Sequence, residues 1–425
     1  MSFDEVASIL VSQRADIFLH SIRFEEGNSW AYYLLLHFWL MLGSGEFMVR
    51  SLSVVFAVAT IPVFYLVAKK LFSEKVARIA IILLPLHILF IYSAQAARGY
   101  SLELFLSILG VYFFLKAREE KKFLIPYVIS VSLSIYAHLF SGFVFLAETV
   151  FLRKFLPFLA VGILCLPLLL MPSFHSGQVD WIPHPSLLNI AATVVLLTGD
   201  FLPLLIINSF LFVYSFFQRK KSTDAYGFTC AWLLVPIFLA YVISFVKPIY
   251  VSGYLKICLP AVVLLIASGI EKMEKRFGYV MLACLVVLSC VRLYGWYGEN
   301  SLGWRIGNTN EQWREAALYV SQNSQASDGI IFYAYFTQEP FFYYFKKPLH
   351  FIELSSRPYP IGGGKALDAP KSISFTEPRI WLIESFVKDQ PNLETIHHEL
   401  SQYSLIRDQK FEQIDVQLYA KLPEH

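Results

Sequence analysis

Ten stretches of this chain are long, apolar and almost free of charge, and basic clusters recur after every second one. They run at about 46–68, 76–93, 99–116, 123–138, 140–152, 155–171, 201–217, 228–246, 250–270 and 277–296. In lipid the backbone has no water to bond to, so such runs have to be helices. A crossing takes about 20 residues, and several runs are shorter, so their limits shift by a few residues. Lys69, Lys70, Lys75 and Arg78 form one basic cluster, and Lys116, Arg118, Lys121 and Lys122 a second. Arg153-Lys154, Arg219-Lys220-Lys221, and Lys272 with Lys275 and Arg276 complete the set. Positive loops stay on the cytoplasmic side. The loops between them, near 92–98, 137–142, 171–185 and 246–254, therefore belong to the outer face, and so does everything after the last span.

Composition agrees. Of 425 residues, 56% are hydrophobic and only 16% charged, against roughly a quarter charged in a soluble domain. A formal net charge of +3 is too small to argue for a nucleic-acid partner. The five cysteines all lie in apolar stretches, which suits buried thiols rather than a disulfide framework or metal knuckle.

Two regions stand outside the spans. At the start, Phe3, Val6, Leu10 and Ile17 recur at helical spacing with Asp4, Glu5, Ser8, Ser12 and Asp16 between them. That pattern predicts a membrane-surface helix over 2–20, its carboxylates towards water; Trp30 to Leu42 reads as a second surface helix. Asp4 and Glu5 would equally favour a helix N-terminus through the macrodipole. If they lie outside, either a short, nearly uncharged N-terminus is translocated unaided or an initial span stands upstream of residue 1, and the second is the expectation. From about residue 299 the composition becomes that of a soluble domain. Strands are expected at 330–333, 379–383 and 416–419, and helices at 312–322 and 393–403, which gives a small α/β domain. Gly362-Gly363-Gly364-Lys365 follows no clear strand and lacks the Ser or Thr of a phosphate loop, so it reads as a plain loop.

Polar residues able to do chemistry collect at the outer ends of the spans: Arg98 and Tyr100, then His138, then His175, Asp180, Trp181 and His184, then Lys247, Tyr254 and Lys256. A cation there can simply snorkel to lipid head groups. Arg98 is set apart by Tyr92, Gln95 and Tyr100, a polar aromatic setting that suits a pocket. No spacing is strong enough to indicate a metal site; no cofactor is indicated, and a divalent metal stays an open alternative.

Read in order, these motifs resemble the GT-C superfamily of membrane glycosyltransferases, in the family-39-like branch of protein O-mannosyltransferases and bacterial aminoarabinose transferases. The resemblance rests on Asp4-Glu5, Tyr32-Tyr33-Leu34-Leu35, Gly43, Glu46 and Arg50, Ala97-Arg98-Gly99-Tyr100, His138, Trp181-Ile182-Pro183, and Pro248 to Leu255 followed by Leu259-Pro260. It departs from the family at Ser29-Trp30, where two prolines are usual. It departs again at Ala96, where an acidic or polar residue is common, and at Gly253, where the family has Arg. Lys256, one helical turn on, is placed to supply that charge.

The resemblance implies a polytopic α-helical fold with an extracytoplasmic α/β domain. The membrane catalytic domain would cover 1–298 and the soluble domain 299–425. It implies a multi-pass protein of the inner (plasma) membrane that moves a sugar from a polyprenyl-phosphate-linked donor to an acceptor hydroxyl on a glycolipid, polysaccharide or protein. Membrane lipids would surround the donor's tail. Asp4, with Glu5 beside it, would take the hydroxyl proton. Arg98 and Lys256 would hold the departing phosphate, and Tyr100, His138 and Tyr254 would wall the pocket. Two other classes fit a polytopic chain: a flippase or transporter of lipid-linked sugar, and a weakened copy serving as a scaffold. A transporter usually places ionisable groups near mid-bilayer; here the candidates are Glu103 and Glu148.

Overall fold

The computed structural model describes residues 1–17, 29–152, 155–169, 182–217, 223–298, 311–333, 337–352, 375–385 and 393–422. His175, Asp180, Trp181 and the Gly362–Lys365 run lie outside them. The chain divides into two compact units, Ser12–Gly307 and Met1–Val11 with Asn308–His425.

Helices stand at all ten apolar stretches. In the larger unit they are α2 (Trp30–Trp39), α3 (Glu46–Leu71), α4 (Glu74–Leu83), α5 (Ile88–Gln95), α6 (Tyr100–Ala117), α7 (Leu124–Ala137) and α8 (Ser141–Leu152). They continue as α9 (Phe155–Leu169), α10 (Leu187–Leu197), α11 (Leu202–Phe217), α12 (Thr223–Ile243), α13 (Leu259–Lys272) and α14 (Lys275–Tyr297). Among the described residues five helices are by themselves long and apolar enough to cross a membrane, and up to seven if each bent pair is one span. The difference from ten is one of length. With 14, 12 and 15 residues, α7 to α9 reach only about 18–23 Å at 1.5 Å per residue, short of the ~30 Å hydrocarbon core. The bent pairs join α4 to α5 at 58° and α10 to α11 at 89°.

Apolar side chains face outward along these helices, among them Phe47, Ile125, Leu156, Val213 and Phe277. A water-soluble protein would not tolerate so much exposed apolar surface; a multi-pass membrane protein requires it. Some polar groups inside the bundle are paired with one another. Tyr127 donates to Glu148 at 2.8 Å. Arg292 meets the carboxylate of Asp200 at 2.6 Å and its carbonyl at 3.0 Å, bracing the break between α10 and α11.

Helix α13 is the axis of this packing, with every residue from Leu259 to Ile270 buried. Its Gly269 lets α11 come close: a Cβ there would stand 2.3 Å from the Leu211 carbonyl oxygen.

The smaller unit holds α1 (Phe3–Ser12, its last residue falling in the larger unit), α15 (Trp313–Asn323), α16 (Gln338–Tyr344) and α17 (Leu393–Glu399). They accompany a five-stranded sheet ordered β2-β1-β3-β5-β4. Its strands are β1 (Gly329–Phe332), β2 (His350–Phe351), β3 (Arg379–Glu384), β4 (Tyr403–Phe411) and β5 (Ile414–Lys421). β1 runs parallel to β2 and β3, while β3, β5 and β4 are antiparallel. The period of two along β3 sends Trp381 and Ile383 to one face, under α15, and Ile380 and Leu382 to the other, under α17. Both faces are covered, as the α/β expectation requires. β2, β4 and α16 were not anticipated, and β4 begins at Tyr403, where the expected helix was to end.

Residues 1–11 group with this unit together with residues 308–425, whereas the sequence reading draws its division at 298/299. Glu5, Ser8 and Ser12 are buried and Asp4 is exposed. Burial of Glu5 and Ser8 is tolerable because their side chains bond within the first turns of α1. Ser8 donates to the Asp4 carbonyl at 2.9 Å. Ser2 and Glu5 exchange backbone-to-side-chain bonds at 2.9 and 3.4 Å, the reciprocal arrangement of a capping box.

Two predictions follow from this packing. Gly269→Ala forces a methyl into the α11 backbone and should cost about 1–3 kcal/mol or more, read as a fall in detergent melting temperature. Gly162→Ala, whose added Cβ meets nothing within 4 Å, should leave melting unchanged; equal effects at the two sites would refute the close approach. The second concerns Glu339 on α16, whose pKa burial pushes up from 4.5 to about 7. The folded state thus holds this proton more tightly than the unfolded state does. Stability should be full below the unfolded value and fall as pH rises from about 4.5 to 7. Glu339→Gln should therefore melt higher than wild type at pH 8 and no higher at pH 4; a constant difference would contradict this.

Candidate functional site

The larger unit brings five of the seven expected site residues together. Arg98 lies in the four-residue link Ala96–Gly99 between α5 and α6. The link is tight because Gly99 has no side chain: a Cβ there would come within 3.1 Å of the Ala137 carbonyl and 3.3 Å of Tyr32. Arg98 reaches the Tyr33 hydroxyl at 3.5 Å and lies 5.9 Å from the Tyr100 ring centre. Tyr32 meets Ser53 at 3.2 Å, and Ser53 in turn donates to the Arg98 carbonyl at 3.4 Å. The Tyr32-Tyr33 pair and the Ala97-Arg98-Gly99-Tyr100 run, far apart in sequence, are thus one structure.

Lys256 enters from the 3-10 turn Ser252–Cys258 ahead of α13. It is buried, with its ammonium 3.2 Å from the centre of the Tyr100 ring and 5.1 Å from that of Tyr92. The two rings stack at 6.3 Å. A cation over aromatic faces and out of water is a favourable pair. Gly253, where a Cβ would meet nothing within 4 Å, sits in the same turn.

His138 is the C-cap of α7, extended at φ −164° and buried. Its ring stands 5.1 Å from Tyr254 and 6.3 Å from Tyr100. The Phe140 N–H donates to its Nδ1 at 3.3 Å. Glu103, one turn into α6 and fully buried, places Oε1 3.3 Å from the same nitrogen. Lys256 acts electrostatically on both Glu103 and His138, and Arg98 on His138. Glu103 is the residue that the sequence reading left out of the site. Its signal was available: an acidic residue in an apolar run, five residues after Arg98.

Chemically this is a pocket of two cations over a tyrosine pair, with one buried carboxylate and one imidazole. Such a set can hold a phosphate oxygen by charge-assisted bonds. Among the described residues no group of three or more His, Cys, Asp or Glu could hold a metal ion.

The other two expected residues, Asp4 and Glu5, fall in the smaller unit. Asp4 presents its carboxylate to solvent from the first turn of α1, while the Glu5 carboxylate is engaged at 2.9 Å by the Ser2 N–H.

No protein-family model matches the chain, and no curated protein matches it in sequence. Solved structures do. ArnT from Cupriavidus metallidurans in the apo state superposes with a TM-score of 0.65 at 11% identity, covering 98% of this chain and 93% of that one. ArnT from the same organism bound to undecaprenyl phosphate gives 0.61 at 11% identity, with 98% and 92% covered. At that identity the likeness is one of fold, and it runs nearly end to end. The chain therefore shares the fold of these ArnT structures: a multi-pass helical membrane protein with a small sheet-containing unit.

Proposed function

We propose that this protein is a membrane glycosyltransferase that takes a sugar from a polyprenyl-phosphate-linked donor and passes it to an acceptor hydroxyl at the outer face of the inner (plasma) membrane. The observation that carries the reading is the burial of Lys256 against Tyr100 and Tyr92 beside Arg98. Two cations converging on one polar pocket in an apolar bundle have a cost that an anionic ligand offsets. A fold shared with a protein solved in complex with undecaprenyl phosphate makes a lipid phosphate the natural anion.

In the proposed reaction the acceptor oxygen attacks the anomeric carbon and the bond from that carbon to the phosphate oxygen breaks. Asp4 takes the hydroxyl proton, with Glu5 completing the cap that shapes its turn. Arg98 and Lys256 stabilise the charge that gathers on the departing lipid phosphate. Tyr100, His138 and Tyr254 line the pocket. Glycan, lipid and protein acceptors all offer such a hydroxyl, and the donor's tail would lie among the helices.

The test is transfer of labelled sugar from purified polyprenyl-phosphate donor by the reconstituted protein. Arg98→Ala should lower turnover by about 10²-fold, the scale expected for a lost preorganised charge. Gly253→Arg should be neutral or activating, since a Cβ added there meets nothing within 4 Å. Wild-type turnover in Arg98→Ala would move the phosphate site elsewhere, and movement of labelled lipid across vesicles without sugar transfer would favour a flippase. For orientation, a reporter active only in the cytoplasm, fused after His425, should be silent; strong activity would reverse the outer-face assignment.

A further inference from the structure

The first turn of α1 is fixed from within its own unit by a residue distant in sequence. Phe3 opens the helix, so its N–H is one of the donors that a helix leaves without an internal partner. Oε2 of Glu311 accepts that N–H at 2.9 Å and the Trp313 indole N–H at 2.6 Å. Trp313 is fully buried, packed with Ala316, Ala317 and Val320 of α15 in the layer under the sheet. The carboxylate is therefore tied on one side to the core of the unit and on the other to α1. Burial raises the pKa of Glu311, the bonds from Trp313 and Phe3 oppose that rise, and the nearby Asp4 carboxylate adds to it. The Ser2–Glu5 cap closes the same turn from inside. Asp4, next to Phe3, is left as the exposed carboxylate.

We infer that Glu311 is a positioning residue for Asp4: by holding the Phe3 N–H it sets where the Asp4 carboxylate stands. The inference rests on the reading of Asp4 as the base. A base works only within hydrogen-bond reach of the proton it takes. A displacement of about 1 Å can cost as much as 10²-fold, and an unpinned first turn frays at least that far. Glu311 touches no reacting atom in this account. It acts through the helix.

The experiment compares Glu311→Ala and Glu311→Gln with wild type in the full chain. It reads amide exchange over residues 2–12, kcat, and KM for the polyprenyl-phosphate donor. Glu311→Ala should speed exchange in the first turn about tenfold and lower kcat about tenfold, with donor KM changed less than about twofold. Glu311→Gln, which keeps an acceptor oxygen, should restore most of both. A merely structural role would lower the folded fraction without this split and without rescue. Should Glu311→Ala not accumulate, Trp313→Phe, which removes the indole N–H together with part of the ring, should move exchange and kcat the same way. Unchanged exchange in Glu311→Ala overturns the inference, as does faster exchange with unchanged kcat while Asp4→Asn abolishes transfer. Full activity of Asp4→Asn would instead remove the base assignment, and with it the positioning role, whatever the exchange shows.

Discussion

An ammonium buried among apolar helices has to be compensated, and the compensation of Lys256 organises the larger unit's polar interior. Its charge stands over the face of Tyr100, which the Ala97-Arg98-Gly99-Tyr100 link holds at the head of α6. Glu103, one turn further along the same helix, puts a carboxylate within its electrostatic reach, and His138 is set beside that carboxylate by the end of α7. Gly99 lets the link press against Ala137, one residue before His138. Each piece is weak as an isolated contact. Together they make a site that a bilayer would otherwise penalise, because a charge in a low-dielectric interior is tolerated only where partners or aromatic faces meet it.

Much of this was legible in the sequence, for a physical reason. Lipid removes the alternatives: an apolar run has to be a helix, and a polar residue at its end then has few places to go. Hence Arg98, Tyr100, His138, Tyr254 and Lys256, spread over some 160 residues of chain, could be placed at the ends of spans and are found as neighbours. Glu103 was read as a stray intramembrane acid because its partner Lys256 is distant in sequence. No local pattern encodes that pairing. Span lengths were the weaker part of the reading, since apolar composition does not distinguish a full crossing from a 12-residue helix or a bent pair.

The first segment shows the opposite failure. Its apolar spacing is real, and its helix forms, but amphipathicity does not say what the apolar side is buried against. Ser2-Phe3-Asp4-Glu5 fits the S-x-x-E cap signature as well as it fits a pair of catalytic carboxylates. In the structure Glu5 is turned to the Ser2 N–H, as the cap signature requires, and Asp4 is exposed. The bonds that tie the segment to its unit run from Phe3 to Glu311 and from Met1 to Tyr344, and contacts of that span are invisible to any window slid along the chain.

That contact also bears on why such a fold carries a sheet-containing unit. A helix of ten residues is marginal on its own in water, and an exposed carboxylate on a fraying turn samples too many positions to serve as a base. Anchoring its first turn to a carboxylate that is itself tied to a buried tryptophan replaces that wandering with a fixed geometry. The anchoring uses a backbone N–H rather than a side chain of the helix. A sheet covered on both faces supplies what the anchor needs: a rigid layer in which Trp313 cannot turn away. On this reasoning the smaller unit's stability and the placement of Asp4 are one property.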